Sequence, residues 1–221
     1  MKKSVYSLML DDGVVAEIDR LAYAQNTNRS NMVNRILAEY ASYVTPEQKM
    51  REAFDKIAAM LDGQDSFRRM LPTSDTMLSL RSALMYKYNP TVRYSVELYR
   101  GAPNGEVGEL RVTMRTQNAR LTEELCRFFS LWAAAEGHHP SVPPSFFADG
   151  KYTRRLILRR NHAADSETLT PETMGEVIAA YIRTFDHAMK AYFRLADQPD
   201  AAAAAVSEIY ETYDRKNGLL I

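Results

Sequence analysis

The sequence predicts an α+β protein with an N-terminal strand-helix-helix module and a C-terminal antiparallel sheet covered by helices. An apolar–polar alternation near the N-terminus changes to helical spacing at an Asp-Asp pair. Three further alternating segments, separated by turn signals, lie between residues 77 and 114. A long amphipathic segment follows Pro171. We therefore expect a module over residues 1–45, a helical linker over 46–75 and an α+β domain over 76–221.

Composition favours an ordinary water-soluble protein. The chain has 221 residues, 46% hydrophobic and 25% charged, with a formal net charge of zero. It contains no apolar run long enough for a membrane span, and its N-terminal apolar run is too short for a signal peptide, so we expect a cytoplasmic protein without membrane association. No phosphate loop, dinucleotide fingerprint, HExxH or CxxC pattern is present. We therefore predict no enzyme activity, no cofactor and no bound metal.

The first element is a short strand. Tyr6, Leu8 and Leu10 alternate with Ser7 and Met9, which is typical of a strand with one buried face. A lone strand leaves its backbone donors and acceptors unpaired.

Two amphipathic helices follow the strand. Asp11 is a good N-cap for the first helix, and Asn28 is a good N-cap for the second. The second helix should stop before Pro46. The apolar faces consist of Val14, Val15, Ile18, Leu21 and Ala22 in the first helix, and of Met32, Val33, Ile36, Leu37 and Tyr40 in the second.

A module this small needs a second copy of the chain to complete its core. Two strands would pair antiparallel, and four helices would enclose one hydrophobic interior. We therefore predict a homodimer, and leave open whether dimers pair into tetramers. The predicted dimer core is Tyr6, Leu8, Leu10, Ile18, Leu21, Val33, Ile36 and Leu37.

These residues resemble the ribbon-helix-helix repressors of the Arc, CopG and MetJ type. The similarity runs without a gap from Leu10 to Tyr40, and the turn between the helices reads Asn-Thr-Asn-Arg-Ser over residues 26–30. The module covers about a fifth of the chain. The resemblance implies a swapped dimer whose paired strands enter the major groove of double-stranded DNA.

The resemblance also implies two sets of site residues. Outward strand side chains would face the bases, and the amides that begin the second helix would hold phosphate. The base-facing set is Lys3, Val5, Ser7 and Met9, and the phosphate-binding set is Asn28, Arg29 and Ser30.

Three functions remain open from the sequence. The first is a dimeric transcriptional regulator that binds an operator, and this is the leading interpretation because Arg29 and the start of the second helix favour DNA binding. The second is an accessory DNA-binding protein of a plasmid or mobile element. The third is a dimerisation or interaction protein without specific DNA binding, which Val5 and Met9 favour because neither side chain can donate a hydrogen bond to a base.

In the domain predicted over 76–221, the residue pattern indicates secondary-structure elements in the order β-β-β-α-β-α-α. We expect a helix from Pro46, a loop over about 62–75 and a three-stranded meander. A helix over 119–136, a proline-rich loop, a strand over 151–160 and helices over 171–197 and 200–216 complete the domain.

Two further groups of side chains have alternative interpretations. Glu136, His138 and His139 could contact a metal, although a surface loop is the favoured interpretation. The outward face of the sheet could be a platform for phosphates or an ordinary solvated face, and the solvated face is favoured. Its basic and aromatic residues are Arg81, Lys87, Arg93, Tyr99, Arg111, Arg115, Arg155 and Arg159.

Overall fold

The computed structural model confirms the α+β class. It describes residues 5–62, 67–71, 74–86, 89–101, 105–137, 144–157 and 170–217. Within these ranges the chain forms six helices and one six-stranded antiparallel sheet. It divides into two compact units, Met1–Lys49 and Met50–Ile221.

The N-terminal unit contains the two predicted helices, α1 (Asp12–Ala24) and α2 (Arg29–Tyr40). The Asp11 carboxylate accepts a hydrogen bond from the Gly13 amide at 2.8 Å, which caps α1. Asn26 joins the helices with a φ of 51°, a left-handed conformation that asparagine tolerates better than most residues. The buried core of this unit is small and consists of Ile18, Ala22 and Met32.

Helix α3 (Pro46–Leu61) begins with a capping box. The Gln48 amide donates to the Thr45 hydroxyl at 3.1 Å, and the Gln48 side chain accepts from the Thr45 amide at 2.8 Å. Its apolar face enters the core of the C-terminal unit through Met50, Ala53, Phe54, Ile57 and Leu61.

The sheet has the strand order β1-β2-β3-β4-β6-β5. The predicted meander is confirmed as β2 (Met77–Ala83), β3 (Thr91–Leu98) and β4 (Glu106–Met114). The fourth predicted strand is β6 (Lys151–Ile157), paired antiparallel with β4. Two edge strands, β1 (Phe67–Arg69) and β5 (Phe146–Ala148), occupy segments that we predicted as loops, and there the prediction was wrong.

Helices cover one face of the sheet and enclose the core. They are α3, α4 (Ala119–Gly137), α5 (Pro171–Arg194) and α6 (Pro199–Asn217). Phe185 of α5 lies at the centre, with ring centroids of Phe128, Trp132 and Tyr152 at 5.3, 5.1 and 5.0 Å. Such tilted and edge-to-face contacts stabilise the core beyond the area that they bury.

A charged network is buried in this aromatic core. The Glu136 carboxylate binds the Arg154 guanidinium at 2.7 Å and accepts hydrogen bonds from Tyr181 at 2.6 Å and Tyr152 at 2.8 Å. The side chains of Arg154 and Glu136 are only 1% and 2% exposed. The Trp132 indole N–H donates to the Tyr181 hydroxyl at 2.9 Å. Together these bonds satisfy a carboxylate that would otherwise be costly to bury.

Two other buried carboxylates also accept hydrogen bonds from tyrosines. Tyr94 donates to Asp186 at 2.9 Å, and Asp186 also pairs with Lys190 at 2.7 Å. Tyr192 donates to Glu124 at 2.7 Å. The helical layer is therefore fixed on the sheet by specific polar bonds as well as by apolar contact.

The buried tyrosines predict a loss of stability at alkaline pH. Burial raises the pKa of Tyr94 and Tyr152 well above the ordinary value of a phenol, and it raises the pKa of Tyr210 to about 12. Above about pH 10 the unfolded chain releases these protons while the folded chain keeps them, so ionisation favours unfolding. We expect a constant urea midpoint from pH 7 to about 9.5 and a falling one above it. The replacement Tyr210→Phe should make that fall shallower, whereas a midpoint unchanged up to pH 11 would contradict this account.

Candidate dimer and nucleic-acid interface

The segment Val5–Leu10, which contains the predicted first strand, forms no strand in the single chain, and all of its residues are exposed. Tyr6 is 82% exposed and Leu8 is 62% exposed. Leu10 is also exposed. Three large apolar side chains predicted for a dimer core are therefore open to solvent in the single chain.

The apolar surface continues on the second helix. Leu37 is 52% exposed, and Ile36 beside it is also exposed, whereas Val33 and Leu21 are partly buried against the small core. Of the eight residues predicted for the dimer core, Ile18 alone is buried within one chain, with 8% of its surface exposed. Exposed apolar groups of this size and number are characteristic of an interaction surface.

The predicted base-facing side chains extend into solvent. Val5, Ser7 and Met9 alternate along the chain with Tyr6 and Leu8, and all of them are exposed. Lys3, the fourth member of this set, lies outside the described residues.

The start of α2 leaves backbone donors available. The Asn28 side chain accepts a hydrogen bond from the Asn31 amide at 2.9 Å and caps the helix. The Met32 amide bonds the Asn28 carbonyl at 3.0 Å. No acceptor within the described residues binds the amides of Arg29 and Ser30, which is the usual state of a helix N-terminus and the property that lets it bind an anion.

The Arg29 side chain already has an anionic partner. Its guanidinium forms a bidentate ion pair with Asp19 of α1, in which Nε donates to Oδ1 at 2.7 Å and Nη2 donates to Oδ2 at 2.5 Å. The hydrogen bond from Arg29 lowers the pKa of Asp19, and the hydrogen bond to Asp19 raises the pKa of Arg29. A phosphate would have to compete with Asp19 for this guanidinium, which the sequence alone did not indicate.

The structure gives a different role to one residue of the candidate metal group. Glu136 is buried in an ion pair with Arg154, while His138 and His139 lie outside the described residues. Among the residues that the structure describes, no cluster of three or more His, Cys, Asp or Glu side chains could hold a metal ion. No described helix is long and apolar enough to span a lipid bilayer.

Arg154 and Arg68 were missed by the sequence analysis. Arg154 shares the inner face of β6 with Tyr152 and Leu156, and the alternation of these residues could have identified it. Arg68 lies on β1, directly opposite Arg81 of β2. Register also places Arg93, Arg111 and Arg155 on the outer face with Arg81, as predicted, whereas Lys87 and Arg159 lie outside the described residues.

Comparisons with protein-family models, with curated proteins and with solved structures find no match to this chain. The ribbon-helix-helix resemblance of the N-terminal unit therefore stays a prediction.

Proposed function

We propose that this chain is a dimeric DNA-binding protein that regulates transcription, with its N-terminal unit as the dimerisation and DNA-binding module. Two copies of Val5–Leu10 would pair as an antiparallel ribbon, and the ribbon would enter the major groove. The cytoplasmic location remains part of this proposal.

The exposed apolar surface is the observation that carries the proposal. Tyr6, Leu8, Leu10 and Leu37 are open to solvent in the single chain, while the backbone of Val5–Leu10 has no ladder partner among the described residues. A second copy would satisfy both deficits at once, because strand pairing supplies the hydrogen bonds and the four-helix core buries the side chains.

Pairing of the strands would direct the alternate side chains outward. Val5, Ser7 and Met9 would then face the bases, with Ser7 as a hydrogen-bonding reader and the apolar pair in contact with thymine methyl groups. The free amides at the start of α2 would hold a phosphate on either side of the groove.

A DNA titration tests this function. Arg29→Ala should weaken binding to specific and scrambled duplexes alike by roughly ten- to hundredfold, because each subunit then neutralises one phosphate fewer. Ser7→Ala should instead reduce the preference for the specific site. Fluorescence anisotropy with the DNA upstream of the protein's own coding region, at several salt concentrations, measures both effects.

A substitution of Asp19, the partner of Arg29, should change DNA affinity in the opposite direction. Asp19→Asn should tighten binding a few-fold because it frees the Arg29 guanidinium for phosphate. Glu17→Gln is the control, since it makes the same charge change on the same helix but releases Arg20, with which Glu17 pairs at 2.8 Å. If Asp19→Asn and Glu17→Gln changed DNA affinity equally, the loss of one negative charge from α1 would explain both, and release of the Arg29 guanidinium would have no effect of its own.

One alternative is supported by specific observations. Val5 and Met9 offer no hydrogen-bond donor to a base, and Arg29 is neutralised by Asp19. These features would suit a module that only dimerises. A dimer that binds neither the upstream DNA nor scrambled DNA at moderate salt would establish that alternative and end the regulatory proposal.

A further inference from the structure

Three arginines face one another on neighbouring strands of the outer sheet face. Register places Arg68 opposite Arg81, and Arg81 opposite Arg93. The same row continues to Thr113 and Lys151. Adjacent strands lie about 4.8 Å apart, so the three guanidinium groups originate within about 10 Å. We call Arg68, Arg81 and Arg93 the arginine row.

Such an arrangement weakens a sheet unless something compensates for it. Like charges at directly opposed positions repel one another and destabilise the strand pair. Neither Arg68 nor Arg81 has an acidic partner among the described residues, and both are exposed. The isolated fold therefore contains a concentration of positive charge that does not contribute to its own stability.

The acidic residues of the same face are engaged elsewhere. Arg111 pairs with Glu97 at 3.0 Å and also with Glu109. Arg155 lies 3.9 Å from Glu106. This end of the face is internally neutralised, so the positive potential is concentrated at the other end, around the arginine row and Lys151.

Hydroxyl groups lie next to the arginine row. The Arg93 guanidinium donates to the Ser79 hydroxyl at 3.1 Å, and Ser79 lies 3.3 Å from Ser95. Thr113 lies in the row itself, beside Arg93. Ser79 is buried, so the arginine guanidinium groups and the partly exposed Thr113 hydroxyl are the donors that a phosphate oxygen could reach, and proteins commonly use such donors to hold phosphate.

We propose that the arginine row is a second nucleic-acid site, which binds the phosphate backbone of duplex DNA without regard to sequence. Charge complementarity favours a polyanion, because cations spread over about 10 Å can engage several phosphates at once. Duplex DNA is favoured over a single strand because the row contains no aromatic side chain on which a base could stack. The bidentate geometry of arginine favours phosphate, and an acidic polypeptide is the competing occupant that the experiment must exclude.

This site is separate from the proposed ribbon and does not depend on it. It lies entirely in the C-terminal unit, whereas the ribbon belongs to the N-terminal unit. Each site would add its own salt-dependent contribution to DNA binding.

The test is a double substitution in the full-length protein. Arg68→Gln with Arg81→Gln removes two exposed charges that make no hydrogen bond within the described residues. We expect binding of a scrambled 30-base-pair duplex to weaken at least about tenfold at 0.1 M salt, and the salt slope to become shallower by about one for each phosphate that is no longer neutralised. The control is Arg194→Gln with Arg215→Gln, which removes the same charge from exposed positions on α5 and α6.

Thermal stability provides an independent readout. Arg81→Gln alone should raise the melting temperature by about 1–5 °C, because it relieves repulsion from arginines on both neighbouring strands. A variant that is more stable but binds DNA less tightly identifies a binding role for Arg81. A variant that is less stable would overturn the proposal, because Arg81 would then be needed for the fold.

The remaining outcomes each decide the question. The proposal would be overturned if the two double substitutions weakened DNA binding equally, or if neither weakened it. It would also be overturned if polyglutamate competed better than unlabelled duplex, or if the Arg68→Gln, Arg81→Gln protein lost binding of single-stranded DNA in preference to duplex.

The measurement is repeated in an Arg29→Ala background. If the proposed ribbon function fails, the effect of the arginine row should persist in both backgrounds. If the arginine row fails, the double substitution should be silent while Arg29→Ala keeps its own effect.

Discussion

Replacing Leu37 with aspartate should convert the protein from a dimer to a monomer. Leu37 is 52% exposed in the single chain, so the substitution removes little from the fold of the N-terminal unit itself. In the proposed dimer the same position is buried, where burial of a leucine contributes about 1.5–3 kcal/mol and an unpaired charge is unfavourable.

Symmetry doubles the effect of this substitution. Each dimer contains two copies of the changed residue, so the loss is at least about 3–6 kcal/mol, or roughly a hundred- to ten-thousandfold in the dimer dissociation constant. Light scattering across a concentration series measures the molar mass, and DNA binding should fall with it because the ribbon needs both strands.

Tyr23→Asp is the matched control for Leu37→Asp. Tyr23 is 91% exposed and lies on α1, but it does not belong to the predicted dimer core. Both substitutions replace a large exposed side chain on a helix of the N-terminal unit with a carboxylate, so they introduce the same charge. If Leu37→Asp remained dimeric, or if both variants dissociated equally, this face of α2 would not be the dimer interface.

Replacing Glu136 with glutamine should destabilise the C-terminal unit more than any surface change. The carboxylate binds Arg154 at 2.7 Å and accepts hydrogen bonds from Tyr152 and Tyr181. Glutamine keeps the shape but removes the negative charge that pairs with the buried Arg154 guanidinium. Breaking one side of a buried ion pair costs about 3–5 kcal/mol, so the melting temperature should fall by roughly 6–20 °C.

Glu123→Gln is the control for Glu136→Gln. It makes the same chemical change on the same helix, but Glu123 is exposed. We expect it to change stability by no more than about 0.5 kcal/mol. A Glu136→Gln protein that melts within about 2 °C of the parent would mean that the network adds little to stability, as some buried ion pairs do.

The long periodic elements could be predicted from the sequence because each carries its own local signal. The alternation of Val92, Tyr94, Val96 and Leu98 identifies β3, and the amphipathic spacing after Pro171 identifies α5. Asp11 and Asn28 were also identified correctly as the N-caps of α1 and α2. Local chemistry determines these features, so one chain segment suffices to predict them.

The edge strands could not be predicted in this way. Strand β1 has three residues, of which Phe67 alone is buried, and β5 is equally short. No alternation can be recognised over such a length, and these segments become strands because β2 and β6 offer them free edges. Pairing with a partner distant in sequence, and not local propensity, determines their structure.

The polar contacts were missed for the same reason. Glu136, Arg154 and Tyr181 come from α4, β6 and α5, and nothing in their sequence neighbourhoods indicates that they meet. The contact between Asp19 and Arg29 joins two helices across a turn and was likewise unforeseen. The arginine row depends on strand register, which the alternation of each strand leaves undetermined.

Hydrogen exchange at Val5–Leu10 is the most direct test of the proposed dimer, because it reports on the backbone of the segment that would form the ribbon. In the full-length protein at concentrations that favour the dimer, amides of this segment should be protected, and Leu37→Asp should abolish that protection while the amides of α5 remain protected. Exchange of Val5–Leu10 at the rate of an unstructured peptide, in a parent protein whose α5 amides are protected, would contradict the account.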